Sequence, residues 1–324
     1  MKASRFPKSR TDRRDHRLGF TVTELIVVVA VIAVIIAIVI PSVGKIRASA
    51  RTVKCTANQR QIAMACASYA ASNSGKLVSP KTDGNGSLWL EGTNVTMNSA
   101  GWKHHWINAI DQGSTNAYVV YLGGRKYETR LAITETPFFP YIGDLKVFIS
   151  PDEPSNPNAE AASGTGTRIR SYSLNACLGS TRPDELEEFD ASFTTLLNPQ
   201  VEKGRLNTTS LGTIRSPQRM LCSLVEDDDV NYNNEGWLVL AHQSNWIDWP
   251  AAWRPEAITM SYVDGSTEAY ALSNKNLPAM WAAEGHRYIQ PADASAGVAV
   301  DWKFFRDRLN PGVLPNSTYG FGGN

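Results

Sequence analysis

The chain has 324 residues, enough for one large domain or two ordinary ones around a real core. Its 32 Lys and Arg nearly balance 31 Asp and Glu, and four cysteines are too few for a disulfide scaffold. The balance hides an asymmetry: residues 1–19 hold seven basic and two acidic residues, leaving 25 basic and 29 acidic from Phe20 onward. The body has a basic patch only over residues 45–60, so no nucleic-acid partner is expected.

Residues 20–40 contain a single charge, Glu24. As a helix rising about 1.5 Å per residue, the run is roughly 30 Å long, enough to cross a bilayer core. Its Val and Ile would favour a strand in water, but in lipid an isolated span must satisfy its own backbone and is therefore helical. A secretory signal has an apolar run of about 7–15 residues and a small-residue cleavage site. This run is longer and ends in Pro41-Ser42. A plain signal anchor would leave the carboxylate at the cytoplasmic end unexplained, and a buried core helix would carry polar residues along one side. The charge bias favours a cytoplasmic N-terminus only modestly, because Lys45, Arg47, Arg51, Lys54 and Arg60 follow the span.

Arg17-Leu18-Gly19-Phe20-Thr21-Val22-Thr23-Glu24-Leu25 ahead of the apolar run resembles the cleavage and methylation motif of type IV prepilins and type II secretion pseudopilins. The resemblance implies that a prepilin peptidase cuts between Gly19 and Phe20 and methylates the new amine. It also implies that Glu24, fifth in the mature chain, serves subunit assembly. Thr23 departs from the apolar residue more usual there. Chemistry alone supports the same residues. Gly19 lets a protease approach the backbone closely. An intramembrane carboxylate costs on the order of 3 kcal/mol or more, so Glu24 either sits at the headgroup level or is neutralised by the amine of a neighbouring copy. Pro41 lacks a backbone N–H and is expected to kink or loosen the helix.

Residues 43–72 read as a continuation of this helix. Val43, Ile46, Ala50, Val53, Ala57, Met64, Ala67 and Ala71 form one apolar stripe, and Cys55, Ile62, Cys66 and Tyr69 a second beside it. Together they predict a broad face packed on a sheet, with Lys45, Arg47, Arg51, Lys54, Asn58 and Gln61 on the remainder. Asn73-Ser74-Gly75 supplies the stop. Cys55 and Cys66 are about 16 Å apart along the axis and cannot bond to each other. Cys55, Asn58, Arg60-Gln61-Ile62 and Tyr69 resemble the post-membrane run of a large-headed pseudopilin-like subfamily.

The Gly-, Asn- and Ser-rich residues 81–101 and the small-residue stretch 154–167 read as loops. Between them, residues 136–152 resemble a second block of that subfamily, with Ser150 where relatives have Cys. The resemblance therefore implies that a disulfide partner of Cys55 is absent. Ser171-Tyr172-Ser173-Leu174-Asn175 matches a third short block. Residues 257–272 carry the clearest strand signal. A two-residue turn at Asp264-Gly265 predicts that Tyr262 pairs with Thr267 and Met260 with Ala269. The subfamily often has His residues around such a hairpin, where this chain has Arg254 and Ser266.

Glu226-Asp227-Asp228-Asp229 is the best cation candidate. Close-set oxygen donors suit calcium, and major pseudopilins bind calcium in a head loop, but the spacing matches no defined calcium loop and acid runs are usually solvated. His16, His104, His105, His242 and His286 form no metal spacing with the cysteines, and no nucleophile elbow or phosphate-binding loop occurs. Nine tryptophans read first as core or interface anchors and second as an exposed sugar-binding platform.

The chain thus reads as a basic leader (1–19), a transmembrane helix (20–41), its soluble continuation (42–72) and a periplasmic head (73–324). The expected fold is α+β, the long helix packed on an antiparallel β-sheet. The expected role is a non-enzymatic pilin-like subunit of a type II secretion or type IV pilus-like filament. Its partners would be prepilin peptidase, other pilin or pseudopilin subunits, the bacterial inner membrane and an assembly platform. The alternatives are a membrane-anchored glycan-binding or adhesive protein exported by the same route, and a tethered enzyme without a recognisable motif.

Overall fold

A computed structural model describes residues 20–80, 106–107, 119–122, 125–153, 169–179, 208, 210–226, 236–237, 239–240, 245–246, 248–251, 253, 257–283, 296–309 and 311. The leader, the loops expected at 81–101 and 154–167, and all five histidines lie outside those residues. The chain divides into two compact units, Met1–Ser49 and Ala50–Asn324.

The first element is a single long helix, α1 (Val22–Ser72). It opens with a reciprocal cap. Thr21 Oγ1 accepts from the Glu24 N–H at 3.3 Å, while Glu24 Oε2 accepts from the Thr21 N–H at 2.9 Å and from its hydroxyl at 2.8 Å. The helix runs through Pro41, which has no N–H to give to the carbonyl of Ala37. Just beyond, the Ser42 hydroxyl donates to the Ile38 carbonyl at 3.1 Å. The stop falls where the sequence puts it. Asn73 Nδ2 donates to the Tyr69 carbonyl and the Gly75 N–H to that of Ala70, both at 2.8 Å. Ser74 and Gly75 adopt φ of 57° and 82°, the left-handed turn that ends a helix.

In the unit from Ala50 onward, four antiparallel strands make the sheet: β3 (Tyr172–Leu174), β4 (Leu221–Val225), β7 (Ile258–Tyr262) and β8 (Thr267–Tyr270), in the order β3-β4-β7-β8. Two hairpins stand apart from it, β1 (Val119–Leu122) with β2 (Arg125–Glu128), and β5 (Val239–Leu240) with β6 (Asn245–Trp246). Short helices α2 (Arg130–Thr134) and α3 (Leu277–Ala283) precede the closing helix α4 (Ala296–Leu309). The layout is α+β.

One sheet face meets α1 through Tyr172, Ser223 and Thr259, each hydrogen-bonded to a helix side chain. The other meets α4. Arg308 Nε donates to Tyr262 Oη at 2.9 Å, and the Tyr270 ring stacks on Phe304 at 3.7 Å. Asp301 of α4 is buried, and accepts from Tyr270 Oη at 2.6 Å and from the N–H groups of Ser273 and Asn274. With both faces covered, all residues of β4 and β7 are buried.

Two expectations need correction. Of the two apolar stripes, only the one through Cys55, Ile62, Cys66 and Tyr69 is buried, while Ile46, Val53 and Met64 are exposed. The buried row is completed by Asn58, which the sequence assigns to the polar side, and by Gln59. Their amides find backbone and hydroxyl partners on the facing segments, which removes the penalty for burying them. The hairpin register is also one residue off. Ser261 pairs with Thr267 and Met260 with Glu268. The Gly265 N–H bonds to the Tyr262 carbonyl, and the Tyr262 N–H to that of Ser266. The loop therefore holds three residues, Val263, Asp264 and Gly265. Gly265 at φ 86° takes the left-handed position that closes a three-residue turn.

Candidate functional site

The candidate processing and assembly residues lie at the start of α1. Phe20 and Thr21 precede the first helical residue, and Thr21 is the cap, its carbonyl accepting the Leu25 N–H at 3.2 Å. Gly19 lies outside the described residues. From residue 20 to residue 49 every residue is exposed except Val43, which is half-buried. The stretch through Ile40 carries fifteen exposed large apolar side chains and one carboxylate. One helix is thus long and apolar enough to cross a membrane. The Glu24 carboxylate is held within the first turn by Thr21, a local pairing that the spacing Thr21-x-x-Glu24 announces in the sequence.

A second cluster forms where the three short blocks of the body meet. Cys55 Sγ lies 2.8 Å from Thr259 Oγ1, 3.2 Å from Tyr172 Oη and 3.6 Å from Ser150 Oγ. Asn58 Nδ2 donates to the Ile149 carbonyl at 3.1 Å and to Tyr172 Oη at 3.4 Å. Tyr69 packs its ring edge-on against Phe138 and Tyr141. One turn on from Cys55, Gln59 Nε2 donates to the Thr259 carbonyl at 2.6 Å and to its Oγ1 at 2.9 Å, and Gln59 Oε1 accepts from Ser223. Burial and the neighbouring Cys55 push the Tyr172 phenol well above its ordinary range. A buried thiol held among hydroxyls is a fastening between helix and sheet.

Sequence reasoning missed a buried ion pair. Arg170 Nε and Nη2 clamp the Glu128 carboxylate at 2.9 Å each, with the guanidinium 5.5 Å from the Trp106 ring centre. Arg170 Nη1 also donates to Ser173 Oγ at 3.1 Å, and the Ser173 hydroxyl in turn donates to Glu226. Arginines and glutamates 42 residues apart in sequence give no signal of such a pairing. Glu226 is the first residue of the acidic run. It is buried, and its N–H bonds to the Ser171 carbonyl at 3.0 Å. Asp227, Asp228 and Asp229 lie outside the described residues. Among the described residues, no three His, Cys, Asp or Glu side chains gather to hold a metal ion.

Trp106, Trp237, Trp246, Trp249 and Trp302 are all buried, and Trp237 and Trp246 pack edge-on against Phe305 of α4. These tryptophans are core. No protein-family model, curated protein or solved structure matches the chain.

Proposed function

We propose that this protein is a pilin-like structural subunit, a pseudopilin of a type II secretion or type IV pilus-like filament, cut between Gly19 and Phe20 by a prepilin peptidase. The supporting observation is the first half of α1: apolar side chains exposed on every side, with Glu24 in the first turn as the one charge before Lys45. So large an apolar surface calls for lipid or for other helices like itself.

In this reading the apolar helices insert in the inner membrane with the leader on the cytoplasmic side. They then pack side by side in the filament, while the head is carried on the periplasmic side. Cleavage frees a cationic amine at Phe20, four residues before Glu24. That amine on one copy meets the Glu24 carboxylate of the next, and the mutual neutralisation offsets the cost of a charge in hydrocarbon.

Sequencing the N-terminus of the protein purified from its own membranes tests the cut. N-methyl-phenylalanine at position 20 is expected, and a chain still beginning at Met1 defeats the reading. Glu24→Ala then tests the assembly role. Normal processing with loss from filaments is expected, and undiminished incorporation removes Glu24 from the mechanism.

A further inference from the structure

Cys66 lies on α1 two turns beyond Gln59 and within the same buried row. Cys222 occupies an irregularity in the sheet. Leu221 faces Tyr262 and Ser223 faces Ser261, so Cys222 is an extra residue on β4. Strict alternation would send the side chains of Cys222 and Ser223 to opposite faces. At a bulge two successive residues oppose one partner, and the side chain is re-aimed. Ser223 is on the α1 face, donating to Gln59 Oε1 at 3.2 Å. Cys222 joins it there, on the face that carries Cys66, and the two thiols are close enough to interact. Both are free thiols, 6% and 1% exposed.

We propose that Cys66 and Cys222 are a disulfide-forming pair that fastens α1 to the interior strand β4 when the head folds in an oxidising compartment. The compartment rests on the exported-head reading above; the pairing itself does not. The oxidant is a disulfide, either that of a thiol–disulfide oxidoreductase or oxidised glutathione. One cysteine thiolate attacks it, forming a mixed disulfide and expelling one thiolate. The second cysteine thiolate attacks the protein sulfur of the mixed disulfide and expels the other. Two protein thiols thus lose two protons and two electrons, and one external disulfide is reduced to two thiols. The neighbouring Cys222 thiol, together with burial, pushes the Cys66 thiol well up. Thiolate is therefore scarce once the protein has folded, and the exchange belongs to the folding chain or to its transient openings.

The full chain, reduced and unfolded, is refolded in detergent with reduced and oxidised glutathione. Free thiols are then alkylated and the chain is digested with trypsin without reductant. A cross-linked peptide joining residues 61–76 to residues 220–275 is expected, as is an oxidant-dependent rise in the denaturation midpoint that Cys222→Ser abolishes. Alkylated Cys66 and Cys222 in the oxidised chain overturn the proposal, as does a rise that persists in Cys222→Ser. Never-unfolded chain incubated with oxidised glutathione in detergent is read the same way. Finding the link in these experiments but not in chain recovered from cells with its thiols trapped upholds the pair and counts against the exported head instead.

Discussion

Cys55 Sγ on the helix and Ser150 Oγ on the facing segment stand 3.6 Å apart, although 95 residues separate them in sequence. The position where the resemblance implies a cysteine is thus in contact with Cys55, and a hydroxyl occupies it. Ser150→Cys is expected to form a disulfide with Cys55. On the chain-entropy estimate a loop of this size contributes about 4–5 kcal/mol, and measured gains are typically about 2–4 kcal/mol. Urea denaturation with and without reductant reads the gain, and non-reducing peptide mapping identifies the link. Two alkylated thiols at positions 55 and 150 would show that the backbones are not positioned to bridge.

Gln59 is fully buried, and its amide joins two strands. Gln59→Leu keeps most of the volume but leaves the Thr259 carbonyl without this donor. A loss of about 1–3 kcal/mol is expected, the cost of stranding a buried polar group. A shift in the urea midpoint at constant slope measures it. No shift would mean that the amide contributes nothing beyond its shape.

The Glu128–Arg170 pair is buried at both ends, with side-chain exposures of 0% and 4%. Arg170→Met alone leaves the carboxylate uncompensated and is expected to cost about 3–5 kcal/mol. Adding Glu128→Leu should restore much of that loss, since two apolar side chains need no partner. A double-mutant cycle checks the coupling. Additivity within about 0.5 kcal/mol would show that the two residues act independently.

Burial raises the phenols of Tyr69, Tyr262 and Tyr270 to about 12, from an ordinary value of 10. The unfolded chain ionises these groups first, so the folded state binds more protons between the two values. Their contribution to stability is present in full below pH 10 and is lost as pH rises through about 12. Tyrosinate absorbance should lag in the folded protein and then rise together with unfolding. Tyrosines that all titrate near 10 in the folded state would contradict their burial.

Local chemistry was legible in the sequence. The apolar run and the stop at Asn73-Ser74-Gly75 depend on residues within a few positions of one another, and each falls where the pattern puts it. The Cys55–Ile62–Cys66–Tyr69 row was legible too, because helical periodicity alone puts those side chains on one side. Periodicity could not say which of two apolar stripes would be covered, nor that Asn58 and Gln59 would join the buried one. That choice depends on the carbonyls of Ile149 and Thr259, which only the tertiary fold brings to the helix.

The same division holds elsewhere. Asp264-Gly265 fixed a turn, but whether its loop held two residues or three was decided by how Tyr262 and Ser266 met across it. The clamp of Arg170 on Glu128 and the meeting of Cys66 with Cys222 join distant segments, the latter through a bulge that breaks strand alternation. Apolar runs, caps and stops are properties of contiguous sequence, so the sequence by itself determined the long helix and its ends. Buried polar partners belong to surfaces that exist only once the sheet has formed between α1 and α4, so the tertiary structure alone decided them.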